Sequence, residues 1–179
     1  MGRMVALLRG INVGKGRSLA MAELRALCAE LGWTDVATYI QSGNVVFTAS
    51  GEPAALETAL EKAIAERFGM RVPVVVRTAS QWTVYPAENP FPDAARERPK
   101  ALLLLVAKEP PAAGAEKALQ ARAAAGERVG RAGDGLWIDY RETIARSKLS
   151  PLLIDKLVES PATSRNYLTV MTLKEMLEA

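Results

Sequence analysis

Four consecutive apolar residues, Val5-Ala6-Leu7-Leu8, recur 97 positions later as Leu102-Leu103-Leu104-Leu105. Apolar runs without polar alternation read as strands buried on both faces. Each run is followed by the same order of helix and hairpin signals. Gly43 in the first hairpin matches Gly135 in the second at a shift of 92. A chain carrying this pattern twice is constrained to two α+β halves.

In the first half, residues 3–9 are predicted as a strand. It opens into the glycine-rich basic loop Arg9-Gly10-Ile11-Asn12-Val13-Gly14-Lys15-Gly16-Arg17. Ser18 then reads as an N-cap, with a helix over residues 19–31 ending at Gly32. Residues 36–40 and 44–48 form two β segments around Gln41-Ser42-Gly43, a hairpin signal. Pro53 starts a second helix, whose Leu56, Leu60, Ile64 and Phe68 recur every four residues; Gly69 ends it. Residues 72–77 make a further strand. The order βαββαβ is the ferredoxin-like, split βαβ arrangement.

Residues 79–99 carry four prolines and predict a short helix followed by a linker. From Lys100 the pattern restarts. A buried strand covers 101–106, and an alanine-rich helix covers 112–124. Residues 127–131 and 136–140 pair around Ala132-Gly133-Asp134-Gly135. Ser150-Pro151, a cap with proline at the first helical position, opens another helix. This half shows no clear last strand. It ends in a helix from about Asn166 whose Tyr167, Val170, Leu173 and Leu177 face the core. The expected architecture is therefore α+β: two tandem ferredoxin-like halves at 1–78 and 100–179, a linker with a short helix at 79–99, and a C-terminal helix, together forming one compact unit.

Composition narrows the chemistry. With 49% hydrophobic and 24% charged residues, the chain has the profile of an ordinary globular protein. A net charge of +3 suits an acidic small molecule and falls short of a dedicated nucleic-acid face. Histidine is absent, which removes the commonest general base and metal ligand and every Ser-His-Asp or Cys-His pairing. The single cysteine, Cys28, lies on the helical stripe of Met21, Leu24, Leu27 and Leu31 and reads as a buried hydrophobe. No metal site or cofactor is implied. No apolar run reaches the roughly 20 residues of a membrane span. The opening apolar stretch ends at Arg9, too early for a secretory signal, and Ala6 stands where an acylation motif wants Ser or Thr. The expected location is the cytoplasm, away from membranes.

The opening loop matches no nucleotide signature. A P-loop needs four residues between its first glycine and Gly-Lys, whereas three separate Gly10 from Gly14-Lys15. The Rossmann fingerprint fails at Leu19, where its third glycine belongs. The loop still favours anions. Glycines allow N–H groups to converge, the following helix N-terminus carries partial positive charge, and Arg9, Lys15 and Arg17 add full charges. Asn12 offers a side-chain amide. In a βαββαβ unit this loop and the Gln41-Ser42-Gly43-Asn44 turn share one end of the sheet, although about 30 residues separate them. The bland reading is a tight turn with solvated basic residues.

The segments Leu7–Gly14, Tyr39–Phe47, Asn89-Pro90-Phe91, Ser147-Lys148 and Arg165-Asn166 carry a family resemblance. The chain is similar to the bacterial family catalogued as domain of unknown function 1697. The resemblance implies two ferredoxin-like halves and no assigned activity. Two departures stand out: Lys15-Gly16 where the family has a second glycine directly after Gly14, and Ala162-Thr163-Ser164 with Tyr167 where it favours Gly-Thr and a tryptophan.

Ser147-Lys148 precedes a helix, and Thr163-Ser164-Arg165-Asn166 reads as a helix start with outward N–H groups. Arg165 offers a planar fork for phosphate or carboxylate; Thr163 and Ser164 read first as caps. Asn89-Pro90-Phe91 reads as a linker anchor with Phe91 in a groove. The preferred function is binding of a phosphorylated or otherwise anionic small molecule at Arg9, Gly10, Asn12, Gly14, Lys15, Ser42, Gly43 and Asn44. Ser147, Lys148, Arg165 and Asn166 are the second half's candidates. Turnover there would need Lys148 or a tyrosine to move protons, or electrostatic stabilisation by arginine and N–H groups. The alternatives are an RNA-binding module, for which Phe47 is the lone stacking candidate, and a protein-interaction module pairing its strand edges. No oligomeric state is implied.

Overall fold

The computed structural model describes residues 1–14, 18–142 and 144–179. The chain divides into two compact units, Met1–Trp82 with Leu173–Ala179, and Thr83–Thr172.

The first unit contains β1 (Gly2–Leu8), α1 (Met21–Glu30), β2 (Thr34–Tyr39), β3 (Asn44–Ala49), α2 (Pro53–Phe68) and β4 (Val74–Thr78). They form an antiparallel sheet in the order β2-β3-β1-β4. One face, with Met4, Ala6, Leu8, Val45, Phe47, Val74 and Val76, shares a core with Leu24, Leu27 and Cys28 of α1 and Leu56, Leu60 and Ile64 of α2. Val5 and Leu7 on the other face are also buried, which explains why β1 lacks polar alternation. Trp33 stacks on Phe47 with ring centroids 3.9 Å apart. Burial pushes the Cys28 thiol up to about 12, which leaves it the inert thiol that its apolar stripe predicts. Pro53 begins α2, and Gly69 closes it in the left-handed conformation at φ +64°. Arg3 donates to the Asp35 carbonyl at 3.2 Å and to the Met176 carbonyl at 3.0 Å, binding β2 and the end of the chain to the N-terminal strand.

α3 (Ala79–Ala87) and α4 (Pro92–Glu97) occupy the stretch read as one short helix and a linker. The first is the expected short helix; the prolines concealed the second. Pro86 sits within α3, and Pro92 opens α4 at a first-turn position, where a missing N–H costs nothing.

In the second unit β5 (Leu102–Ala107), α5 (Ala115–Arg122), β6 (Arg128–Ala132), β7 (Gly135–Asp139), a 3-10 turn (Ile144–Arg146), α6 (Pro151–Val158), β8 (Ala162–Asn166) and α7 (Tyr167–Glu178) follow. The sheet order is β6-β7-β5-β8, again antiparallel. Leu105, Leu136 and Ile138 pack with Leu119, Ile154 and Val158. Ser150 caps α6 as expected, its hydroxyl accepting from the Leu153 N–H at 3.3 Å.

β8 corrects the expectation that this half lacks a last strand. Thr163-Ser164-Arg165-Asn166 is not a helix start; it pairs with β5, Arg165 opposite Leu104. The small polar residues look like caps in sequence, and the demand of β5 for a second antiparallel neighbour overrides that local preference. The cap falls at the strand's end, where the Asn166 side chain accepts from the Thr169 N–H at 3.0 Å.

A charged network holds α4 on the second sheet. Asp139 is wholly buried and accepts from Arg98 at 2.9 and 2.7 Å, from Arg128 at 2.9 Å and from the Arg141 N–H at 3.0 Å. Burial alone would raise its carboxyl; these donors outweigh burial and hold it at about 2. Asp93 of α4 bridges the same two arginines at 3.1 and 2.7 Å. Arg128 lies over the Phe91 ring, 4.6 Å from its centroid. Gly130 admits the neighbouring proline, since a Cβ there would lie 2.5 Å from Pro90 Cγ. The Asn-Pro-Phe segment is thus an anchor, with Phe91 buried.

Candidate functional site: the loop after β1 and the turn between β2 and β3

β1 ends where its apolar run ends, and the chain enters the loop at Arg9. The Arg9 N–H donates to the Pro73 carbonyl at 3.0 Å, and the Leu8 N–H donates to the Gly43 carbonyl at 2.8 Å. Three alternate loop residues then take left-handed backbone: Gly10 at φ +67°, Asn12 at +54° and Gly14 at +67°. Alternation of this kind turns successive N–H groups towards a common side, the basis of anion-binding nests. Ile11 between them is buried in the core of the first unit.

Asn12 fixes the loop in place. Its side-chain oxygen accepts from the Leu19 N–H at 2.8 Å, and its amide nitrogen donates to the carbonyls of Leu19 at 3.0 Å and Gln41 at 2.7 Å. The bond to Gln41 joins the loop to the β2–β3 turn, so the two segments do meet at one end of the sheet. The same bonds correct two expectations. Asn12 spends its donors inside the protein and has none for a ligand. Ser18 does not cap α1, whose N-cap is Ala20 without a side-chain bond; Asn12 instead satisfies the Leu19 N–H just before the helix.

The turn is built with equal economy. Asn44 is wholly buried and donates to the Tyr39 carbonyl at 2.9 Å and to the Ser42 hydroxyl at 3.0 Å. It is a scaffold residue too. Gly43, at φ +79°, lies against the loop: an added Cβ would be 2.7 Å from both Leu8 Cβ and Ile11 Cδ1. Ile40 also takes a left-handed φ of +50°, and Ile40 and Val13 are both exposed. Arg9 is half-buried. Lys15, with Gly16 and Arg17, lies outside the described residues.

The second-unit candidates do not gather at one place. Ser147 donates to the buried Glu127, just before β6, and accepts from the Leu149 N–H at 3.2 Å. Burial would raise the Glu127 carboxyl, but bonds from Ser147 and the Ala125 N–H keep it below the usual carboxylate range. Lys148 is exposed. Arg165 and Asn166 lie on β8, at the opposite edge of that sheet from β6. The Arg165 guanidinium donates to the Thr163 hydroxyl and the Ser164 carbonyl, both at 2.8 Å. Burial lowers its pKa to about 10. Asn89 and Tyr167 border a surface cavity of about 410 Å³, where the charge of Arg96 is matched by Glu97 at 3.0 Å.

Phe47, the aromatic that an RNA platform would expose, is buried on the helix-facing side against Trp33. Among the described residues, no helix is long and apolar enough to cross a membrane.

An α+β protein with two four-stranded antiparallel sheets, the first carrying a loop and a turn at one end, is the class of protein these features define. The family model described as "Protein of unknown function (DUF1697)" matches residues 1–137. The chain belongs to that family. Both long motifs, the Leu7–Gly14 loop and the Tyr39–Phe47 turn, fall inside the match, while Ser147-Lys148 and Arg165-Asn166 lie beyond it. Among solved structures, a conserved bacterial protein from Streptococcus pneumoniae aligns over 98% of this chain and 98% of its own, with a TM-score of 0.77 and 23% identity. That likeness concerns the fold. A comparison with curated proteins finds no match.

Proposed function

We propose that the loop after β1, together with the β2–β3 turn, binds a phosphorylated or otherwise anionic small molecule. The observation that carries this reading is the left-handed alternation at Gly10, Asn12 and Gly14, held against the turn by the Asn12–Gln41 bond. Such a backbone turns successive N–H groups to one side, lacks a Cβ at Gly10 and Gly14, and keeps the N–H groups fixed before a ligand arrives. Arg9, Lys15 and the Ser42 hydroxyl supply the side-chain part. Asn12, Gly43 and Asn44 belong to the site as its frame rather than as ligand contacts. The burial of Phe47 disfavours an RNA-binding reading.

We infer in addition that each unit is a ferredoxin-like half, supported by the strand orders β2-β3-β1-β4 and β6-β7-β5-β8. A cytoplasmic location is supported by the single buried cysteine.

Thermal unfolding in a series of inorganic phosphate, sulfate and phosphorylated metabolites tests the reading. A ligand at 100 times its Kd stabilises by about 2.7 kcal/mol. The wild type should gain in melting temperature, and Arg9→Ala should lose most of that gain. Equal gains in the two proteins, or none in the wild type, refute it.

A further inference from the structure

The turn between β2 and β3 contains a residue that its own backbone does not suit. Ile40 takes a left-handed φ of +50°, a region where a β-branched side chain is a steric outlier, glycine fits freely and asparagine is enriched. Strain of this kind persists only where the surroundings impose it, and it concentrates at binding sites. Here the constraint is the bond from the Asn12 amide to the carbonyl of the next residue, Gln41, at 2.7 Å. Packing does not explain the isoleucine. Ile40 is 51% exposed and takes no part in the core of the first unit.

Val13 is the counterpart in the loop after β1. It stands between the left-handed Asn12 and Gly14, inside the run whose N–H groups turn to a common side, and it is 72% exposed. Among the described residues of the first unit, Val13 and Ile40 are the exposed large apolar residues apart from the N-terminal Met1. They belong to different segments, yet Val13 follows Asn12 and Ile40 precedes Gln41. The hydrogen bond between Asn12 and Gln41 is thus flanked by an exposed apolar residue on each segment. Single exposed apolar residues are ordinary. Two of them brought to one polar loop cluster match the composition of a ligand site, apolar contacts around a few fixed hydrogen-bonding groups.

We propose that Val13 and Ile40 form the apolar half of the anion site, and that its ligand is a phosphomonoester or carboxylate carried on an apolar or aromatic body. A bare anion or a polyol phosphate uses only half of such a site. This inference rests on the anion site proposed above and names the class of molecule that site takes. The acid group takes the N–H groups of the loop, and the apolar body covers Val13 and Ile40. The backbone already holds Ile40 in its strained conformation, so covering it carries little ordering cost in the turn. Partial cover of the two side chains supplies about a tenfold gain in affinity, or about 1.4 kcal/mol, less than the full burial of one of them.

The test is titration calorimetry with inorganic phosphate, glycerol phosphate and phenyl phosphate on the wild type, Ile40→Asn and the double variant Val13→Ser/Ile40→Asn. Both variants keep the Asn12–Gln41 bond, which runs to a backbone carbonyl, and asparagine tolerates the left-handed turn. The wild type should bind phenyl phosphate about tenfold or more tightly than either other ligand. Ile40→Asn should narrow that preference and the double variant should abolish it, with inorganic phosphate still bound within about threefold of wild type. Unliganded Ile40→Asn should melt above the wild type, because the strain is relieved. A lower melting temperature overturns the claim that Ile40 is held against its preference. Phosphate bound without preference for phenyl phosphate, or a preference that survives in the double variant, overturns the apolar half and leaves the anion site standing. No binding of any of the three ligands removes the anion site itself, and this inference with it.

Discussion

Replacing Asn12 with alanine is the most informative single change to the loop. It deletes three hydrogen bonds. Two of them serve the backbone of Leu19, whose residue is fully buried, so its N–H and C=O are left without their partner and with little access to water. A buried polar group deprived of its partner costs about 1–3 kcal/mol. The third bond, to the exposed Gln41, is replaced by water at small cost. Alanine must also adopt φ +54°, at about 1–2 kcal/mol. The expected loss is about 3–8 kcal/mol, confined to the first unit. Asn12→Gly removes the same bonds without the left-handed strain and should lose somewhat less, about 2–6 kcal/mol. Urea unfolding followed by hydrogen exchange at Val45 and Val46, which report the first unit alone, is the assay. A loss below about 1 kcal/mol in both variants, with an unchanged denaturant slope, would show that Asn12 does not pin the loop.

Three further outcomes follow from the same geometry. Gly43→Ala should destabilise by about 2–5 kcal/mol, because a left-handed alanine is combined with a 2.7 Å contact on Leu8 and Ile11. Gly10→Ala, at φ +67° with nothing within 4 Å, should cost only about 1–2 kcal/mol; equal losses by thermal denaturation would discount the packing of Gly43. Asp139 titrates at about 2 in the folded chain, below its unfolded value near 4, so its contribution is complete above about pH 5 and fades as pH falls towards 2. The contribution is about 2–3 kcal/mol, and Asp139→Asn should both lower stability at neutral pH and flatten that acid slope. A slope that persists in the variant would assign acid sensitivity to other carboxylates.

The sequence made the frame of the molecule readable where local signals and tertiary demands agree. The unalternating β1 and β5, the Pro53 and Gly69 limits of α2, and the Ser150-Pro151 start of α6 all follow from periodicity and capping. The meeting of the loop with the β2–β3 turn was readable too, because it follows from strand order alone. What escaped was set by partners distant in sequence. β8 is made of residues whose own preferences favour caps, and only β5 makes them a strand. The Asp139 network joins residues from 93 to 141, and its acid lies in a hairpin that looked like mere turn chemistry. Asn12 looked like a ligand donor because sequence shows an amide group but not its three partners. The bonds from the Val76 N–H to Glu57 and from the Val74 N–H to Glu61 had no signal in the sequence, since no one-dimensional pattern reveals which strand lies beside a helix.

The proposed site requires the N–H groups of the first loop to converge on one anion-holding spot beside the β2–β3 turn. A phosphate titration followed by amide chemical shifts tests it residue by residue. The prediction is a saturable shift shared by the amides of residues 10–14 and 42, with one common Kd, that is lost in Asn12→Gly while the fold persists. Shifts that never saturate and scatter over exposed lysines and arginines, leaving residues 10–14 unmoved, would contradict it.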